Sequence, residues 1–154
     1  MINLERFQQF ATTLEAEFDM LDDWGCQPTL ALVFPTQTSD GTDLTLAPIH
    51  PQHWLPHGYY PADALEEAKP DNVRKAAGRD DDPVAVLVVY EGTVGDGRDL
   101  RLLYLATADA GSIGVVRIRR QEQRSKTYPH GHTHNGTPAA LVAFAARLPL
   151  RRST

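Results

Sequence analysis

The sequence predicts the α+β class: a single domain built on a mainly antiparallel sheet of about five strands, with N-terminal, middle and C-terminal helices. Three observations carry this reading. In residues 3–22, apolar side chains recur at steps of three and four, the period of a helix with one buried face. Between residues 84 and 120, three strand-length segments follow one another with short links that contain Gly and Asp. Residues 139–148 are apolar nearly all round, as in a buried helix. The expected order is α-β-β-α-β-β-β-α, and strands joined by short turns favour antiparallel pairing with helices packed on the sheet.

The first helix sets Leu4, Phe7, Ala11, Leu14, Phe18 and Leu21 on one face. Glu5, Gln8, Gln9, Thr12, Glu15 and Asp19 take the other, polar face. At under three heptads it reads as a core-packing helix rather than a coiled coil. Trp24-Gly25-Cys26-Gln27-Pro28 ends it. Thr29–Phe34 then forms a strand, Ser39-Asp40-Gly41 a turn, and Asp43–Ala47 alternates like a half-buried partner strand. Residues 48–61 form a Pro-rich loop that carries Trp54, Tyr59 and Tyr60, read as exposed aromatics. Helical segments follow over 62–68 and 71–78, with Pro70 ending one or opening the next.

Val84–Tyr90 is nearly all apolar and rich in valine, which suits a central strand buried on both faces. Gly92–Arg98 is a Gly-rich connection without the Gly-Lys-Ser/Thr ending of a phosphate-binding loop. Leu100–Thr107 and Ser112–Arg120 are two further strands. A three-residue loop, Asp109-Ala110-Gly111, puts Gly at the left-handed position of a bulged hairpin. Tyr104 then faces Val116, Leu102 faces Ile118 and Arg101 faces Arg119, which keeps one face of the pair apolar. Residues 123–136 read as a polar loop. Thr137 caps the last helix, with Pro138 at its first position. The domain spans 1–150, and Arg151-Arg152-Ser153-Thr154 reads as a basic mobile tail.

At 154 residues and 42% hydrophobic content, the chain suits one compact domain with a real core. Its longest apolar runs are too short to span a bilayer, and its N-terminus lacks the pattern of a secretory signal. Cys26 is the only cysteine, so the expected location is a reducing cytoplasm, away from membranes. The strong preference for Arg over Lys suggests a GC-rich bacterial genome. The net charge of −5 is unevenly spread: residues 1–99 hold 6 Lys+Arg against 18 Asp+Glu, and residues 100–154 hold 9 against 2. Either the two parts neutralise each other or the basic end meets an anion.

All six histidines fall in two clusters, His50/His53/His57 and His130/His132/His134. In an extended segment the second set projects from one face about 6.5–7 Å apart, and two such rings plus a third ligand can hold a metal. His130, His132 and His134 are therefore the candidate metal ligands, and a divalent ion such as zinc is the cofactor they would take. No motif makes a cofactor certain. The flanks lack the Ser-x-x-Asp of JAMM-type metalloproteases, the Asp of the His-x-His-x-Asp-His motif and the downstream Glu of cupins. Three prolines in and just before the first cluster, Pro48, Pro51 and Pro56, keep it from forming one regular helix. Whether the two clusters meet depends on the tertiary fold.

A second candidate is the basic stripe Arg101, Arg117, Arg119, Arg120, Arg124 and Lys126. It either pairs with carboxylates of the acidic N-terminal part or binds phosphate or nucleic acid. Cys26 lies beside Asp22 and Asp23, which weaken a thiol as nucleophile, and Ser112 and Ser125 sit in no nucleophile-elbow pattern. Catalysis thus lacks a complete signature. The reading favoured by the sequence is a non-catalytic binding or accessory module. It recognises a protein partner, or a second copy of itself, through Trp54, Tyr59 and Tyr60 and the apolar last helix. A metal-dependent hydrolase or lyase centred on the second histidine cluster is the first alternative, and nucleic-acid or phosphate binding through the stripe is the second.

Overall fold

The computed structural model describes residues 2–152. In chain order it contains α1 (Leu4–Met20), β1 (Thr29–Thr38), β2 (Gly41–Ile49), a 3-10 turn (Pro51–His53), α2 (Pro61–Glu67) and α3 (Pro70–Ala76). Then come β3 (Ala85–Thr93), β4 (Asp99–Thr107), β5 (Ser112–Ile118), β6 (Arg124–Tyr128) and α4 (Gly136–Arg147). The strands form one six-stranded sheet in the order β2-β1-β3-β4-β5-β6, with every neighbouring pair antiparallel. β2 and β3 flank β1 and so run parallel to each other. The α2–α3 segment is the crossover connection that such a pair requires. The α+β class and the element order match the sequence expectation. The sixth strand, β6, lies in the stretch read as a loop.

The sheet has helices on both faces. α1, whose first turn is capped by Asn3 accepting the Arg6 amide at 2.9 Å, lays Phe7 and Ala11 on one face. There they meet Ala31, Val33, Leu87, Leu103, Leu105, Ile113 and Val115. α2, α3 and α4 cover the other face, where Leu65, Val73, Leu141 and Phe144 pack on Leu30, Leu32, Phe34, Val86 and Val88. β1 and β3 are thus buried on both sides, which explains their continuous apolar runs.

Four expectations are corrected. Trp54 is buried at 3% exposure and belongs to the second core, so it is not an exposed anchor; the turn Pro51–His53 folds it under α2. Glu15 is fully buried although it lies on the polar side of α1, because that side faces the charged end of the sheet. The β4–β5 register is two residues away from the expected one. Leu102 faces Val116, Tyr104 faces Gly114, and Arg101 faces Arg117. The cause is Thr107, whose hydroxyl donates to the Gly111 carbonyl at 2.7 Å and accepts the Ala110 amide at 3.0 Å, closing the turn around Ala108-Asp109-Ala110. A shift of two keeps the faces and changes the partners. Finally, α4 starts two residues earlier than a Thr137 cap would allow, with Asn135 in the cap position. In the expected mobile tail, the Arg151 amide donates to the Pro83 carbonyl at 2.7 Å, while Ser153 and Thr154 lie outside the described residues.

Candidate interaction face and the histidine loop

The basic stripe divides into two unlike groups. Arg101 and Arg117 point at α1. The buried Glu15 carboxylate accepts from Arg101 at 3.1 Å, from Arg117 at 2.9 and 3.0 Å, and from Gln123 at 2.7 Å. Asp19 adds a second carboxylate to both arginines, and the Arg101 guanidinium lies 4.2 Å from the centre of the Trp24 ring. Burial alone would push the Glu15 carboxyl up; the hydrogen bonds from Arg117, Gln123 and Arg101 outweigh it and hold the pKa below the ordinary carboxylate value. Arg119 pairs with Asp99 at 3.0 Å. These three arginines therefore meet carboxylates of the chain itself. Arg120, Arg124 and Lys126 are exposed, and none of the described residues forms a salt bridge with them.

Glu91, next in the row after Arg101 and Arg117, accepts the Gly25 and Cys26 amides at 2.7 and 2.8 Å and pins the loop after α1. Burial, the Asp23 carboxylate and Glu91 push the Cys26 thiol above its usual pKa, which keeps it a weak nucleophile.

The second histidine cluster forms a small aromatic group rather than a three-ligand set. The His132 and His134 rings lie 4.7 Å apart, and Tyr128 lies 4.8 and 4.7 Å from them. His130 is exposed beside this group. Among the described residues, no three His, Cys, Asp or Glu side chains are placed to share a metal ion. Burial, then the neighbouring His132, lowers the His134 pKa. Its Nε2 lies 3.2 Å from the Ser112 hydroxyl, in a cleft of about 140 Å³ between the β4–β5 turn, the histidine loop and α4. That volume is well below the roughly 300–1,000 Å³ of ordinary ligand pockets. A hydroxyl–imidazole pair is two-thirds of a nucleophilic triad, and sequence spacing alone could not pair residues 22 apart. The first cluster is local: His50 accepts the Gln52 amide and its ring packs edge-on to His53. It follows β2 at one sheet edge, whereas the second follows β6 at the other, about 24 Å away at five strand spacings.

The least expected feature lies on the helix-rich face of the sheet. α4 rests on β3 and β4. Beyond it, Leu102 stands opposite Val116 and Leu100 opposite Ile118. All four are half-buried and belong to neither core, while Leu103, Leu105, Ile113 and Val115 on the reverse of the same strands are fully buried under α1. Tyr90 and Tyr104, stacked at 6.4 Å, border this patch on the α4 side. Burial, with Tyr90 and Tyr128 close by, pushes the Tyr104 phenol up to about 12, so it stays protonated. Arg124 and Lys126 border the patch on the β6 side, opposite Val116 and Gly114.

Comparison of the chain with protein-family models, with curated proteins and with solved structures finds no match. The reading of the site therefore rests on its own geometry. Of the expected partner-binding aromatics, Tyr59 and Tyr60 are exposed at 39% and 77%, and Trp54 is core. The patch was legible only as an apolar face of two strands. The missing signal is a count of cover: among the described residues three of four helices share one face, and they leave the Val116–Ile118 end of β5 and most of β6 uncovered on that side.

Proposed function

We propose that this chain is a non-catalytic binding module whose partner is a protein, and that the partner docks on the uncovered face of β4, β5 and β6. The observation that carries the reading is the pair of aliphatic contacts Leu102–Val116 and Leu100–Ile118, outside both cores and flanked by stacked tyrosines. An apolar patch with a polar rim is the usual anatomy of a protein interface. The splitting of the arginine stripe and the dispersal of the histidines leave the anion and metal readings with fewer residues than the sequence offered them.

A photo-crosslinking amino acid in place of Leu102, with Thr42 on the far strand β2 as control, tests this in cells. Discrete adducts at position 102, absent at position 42 and lost with Val116→Asp, are the expected result. A chain that forms adducts equally at both positions, or at neither, overturns the proposal.

A further inference from the structure

The open strip has the dimensions of one helix. It runs beside α4 across β5 and β6, two strand spacings or about 10 Å, and an α-helix with its side chains is about 10–12 Å across. Along the strands, Ser112 and Gly114 of β5 are buried beneath the histidine loop and the Tyr104 and Tyr128 rings, so the open stretch is the Val116–Ile118 end, about 10 Å, which matches roughly two helical turns. At one end the strip is closed by the histidine loop, where Tyr128 meets His132 and His134. At the other, the Leu100–Ile118 end, it is open. The helix layer on this face therefore has a place beside α4 that no helix of the described chain fills.

The charge around that place is one-sided. Arg124 and Lys126 project from β6 on the same face as Val116 and Gly114, and Arg120 is exposed just beyond β5. None has a carboxylate partner in a salt bridge among the described residues, whereas Arg101, Arg117 and Arg119 do. A second copy of the chain would bring the same cations to the contact, and its helices already bury their apolar sides in its own cores.

From these observations, and resting on the reading of the chain as a protein-binding module, we propose that the partner's docking element is a single amphipathic helix. It fills the vacant place beside α4, sets an apolar stripe on Leu100, Leu102, Val116 and Ile118, and carries Asp or Glu along the edge that faces Arg124 and Lys126. The apolar contact supplies affinity, and the carboxylates fix which way round the helix lies.

The test is a selection on the full chain. Displayed peptides of about 15 residues, long enough to hold the two contacting turns with flanks, carry leucines at i, i+3, i+4 and i+7, with flanking positions randomised among Glu, Gln and Lys. Enriched peptides are then measured by fluorescence anisotropy against the wild type, Leu102→Lys and the double variant Arg124→Glu/Lys126→Glu, each checked for fold by circular dichroism. The expected peptides carry Glu on one flank, lose about tenfold or more in affinity with either variant, and weaken further at about 0.5 M salt.

Enriched flanks that are neutral or basic, or binding unchanged by the β6 double variant, overturn the acidic helix. If Leu102→Lys still abolishes such binding, the patch remains a protein-binding face. No enrichment over a scrambled library overturns the helix outright. So does a dimer of this chain dissolved by Leu102→Lys in light scattering, or tighter binding of a labelled oligo-dT strand to the same face.

Discussion

Arg101 stands directly opposite Arg117 across β4 and β5, and both guanidiniums close on the Glu15 carboxylate. Two like charges in facing positions destabilise a sheet unless something neutralises them. Here the neutraliser comes from α1, so the charge pair ties the N-terminal helix to the sheet at the end where Phe7 and Ala11 do not reach. Replacing Glu15 by Ala leaves two desolvated cations face to face with only the partly exposed Asp19 carboxylate near them, and is expected to cost about 3 kcal/mol. Urea unfolding measures it, with the exposed Glu5→Ala as a control expected within about 0.5 kcal/mol. A Glu15→Ala value as small as the control's would show that α1 is not held by charge.

The same network sets an acid limit. The Glu15 pKa is lower in the folded chain than in the unfolded one, so its contribution is complete above the ordinary Glu pKa of about 4.3 and is lost as pH falls through the folded value. A stability profile is expected to be flat in this term near neutrality and to drop in acid. Glu15→Gln, starting from a lower plateau, is expected to show a shallower drop. Parallel acid limbs in the two proteins would contradict the assignment.

His134 titrates in a different window. Its folded pKa is lowered by burial and by His132, so the folded chain resists protonation. Stability from this group is complete above about 6.5 and falls as pH drops below that, towards the folded value. An NMR titration of the His134 ring is expected to give a midpoint below 6.5, and His134→Gln to remove the corresponding slope from unfolding data. A midpoint at or above 6.5 would mean that the ring is hydrated and free of the Tyr128 and His132 contacts.

Neighbouring leucines on β4 give a direct test of the uncovered face. Leu103→Ala empties a site in the α1 core and is expected to cost about 2–5 kcal/mol. Leu102→Ala, one residue away on the half-buried side, is expected to cost about 1 kcal/mol or less. Equal losses in urea unfolding would mean that something covers Leu102 in solution.

Two glycines of β5 and its turn differ in what surrounds them. A Cβ on Gly111 would lie 2.1 Å from the Tyr128 carbonyl oxygen, at a positive φ of 109°; on Gly114 it would lie 2.8 Å from the Tyr104 ring edge. Gly114→Ala asks a ring to move, at a cost of about 1–3 kcal/mol. Gly111→Ala asks backbone to move and is expected to cost more, with loss of the His132–His134 contact in NMR. The reverse order of stabilities would contradict the turn geometry.

How much was legible follows from which interactions leave a pattern in sequence. α1, β1, β3 and α4 each bury a continuous stripe or run, and periodicity records that. β6 leaves none, because Arg124-Ser-Lys-Thr-Tyr128 is an edge strand exposed along most of its length. The β4–β5 faces were readable from alternation, but the register was not. It depends on the Thr107 hydroxyl bridging its own turn, which the bulged-loop rule does not consider. Trp54 in a Pro-rich loop looked exposed because the composition of a loop says nothing of what the loop folds over. Neutralisation of the arginines by the acidic N-terminal part was readable as an alternative. That Glu15 does it, from a polar helix face, required the tertiary fold.

The two ends of an open sheet are its β2 and β6 strands, and each leaves a row of peptide groups with no strand of the described residues beside it. Such a row is a template for fibre growth when it is long, flat and apolar. β6 is five residues long and carries Arg124 and Lys126, so a copy arriving edge to edge meets like charge and little to bury. The strand with the weakest imprint in the sequence is thus also an edge poorly suited to pairing with its own copy.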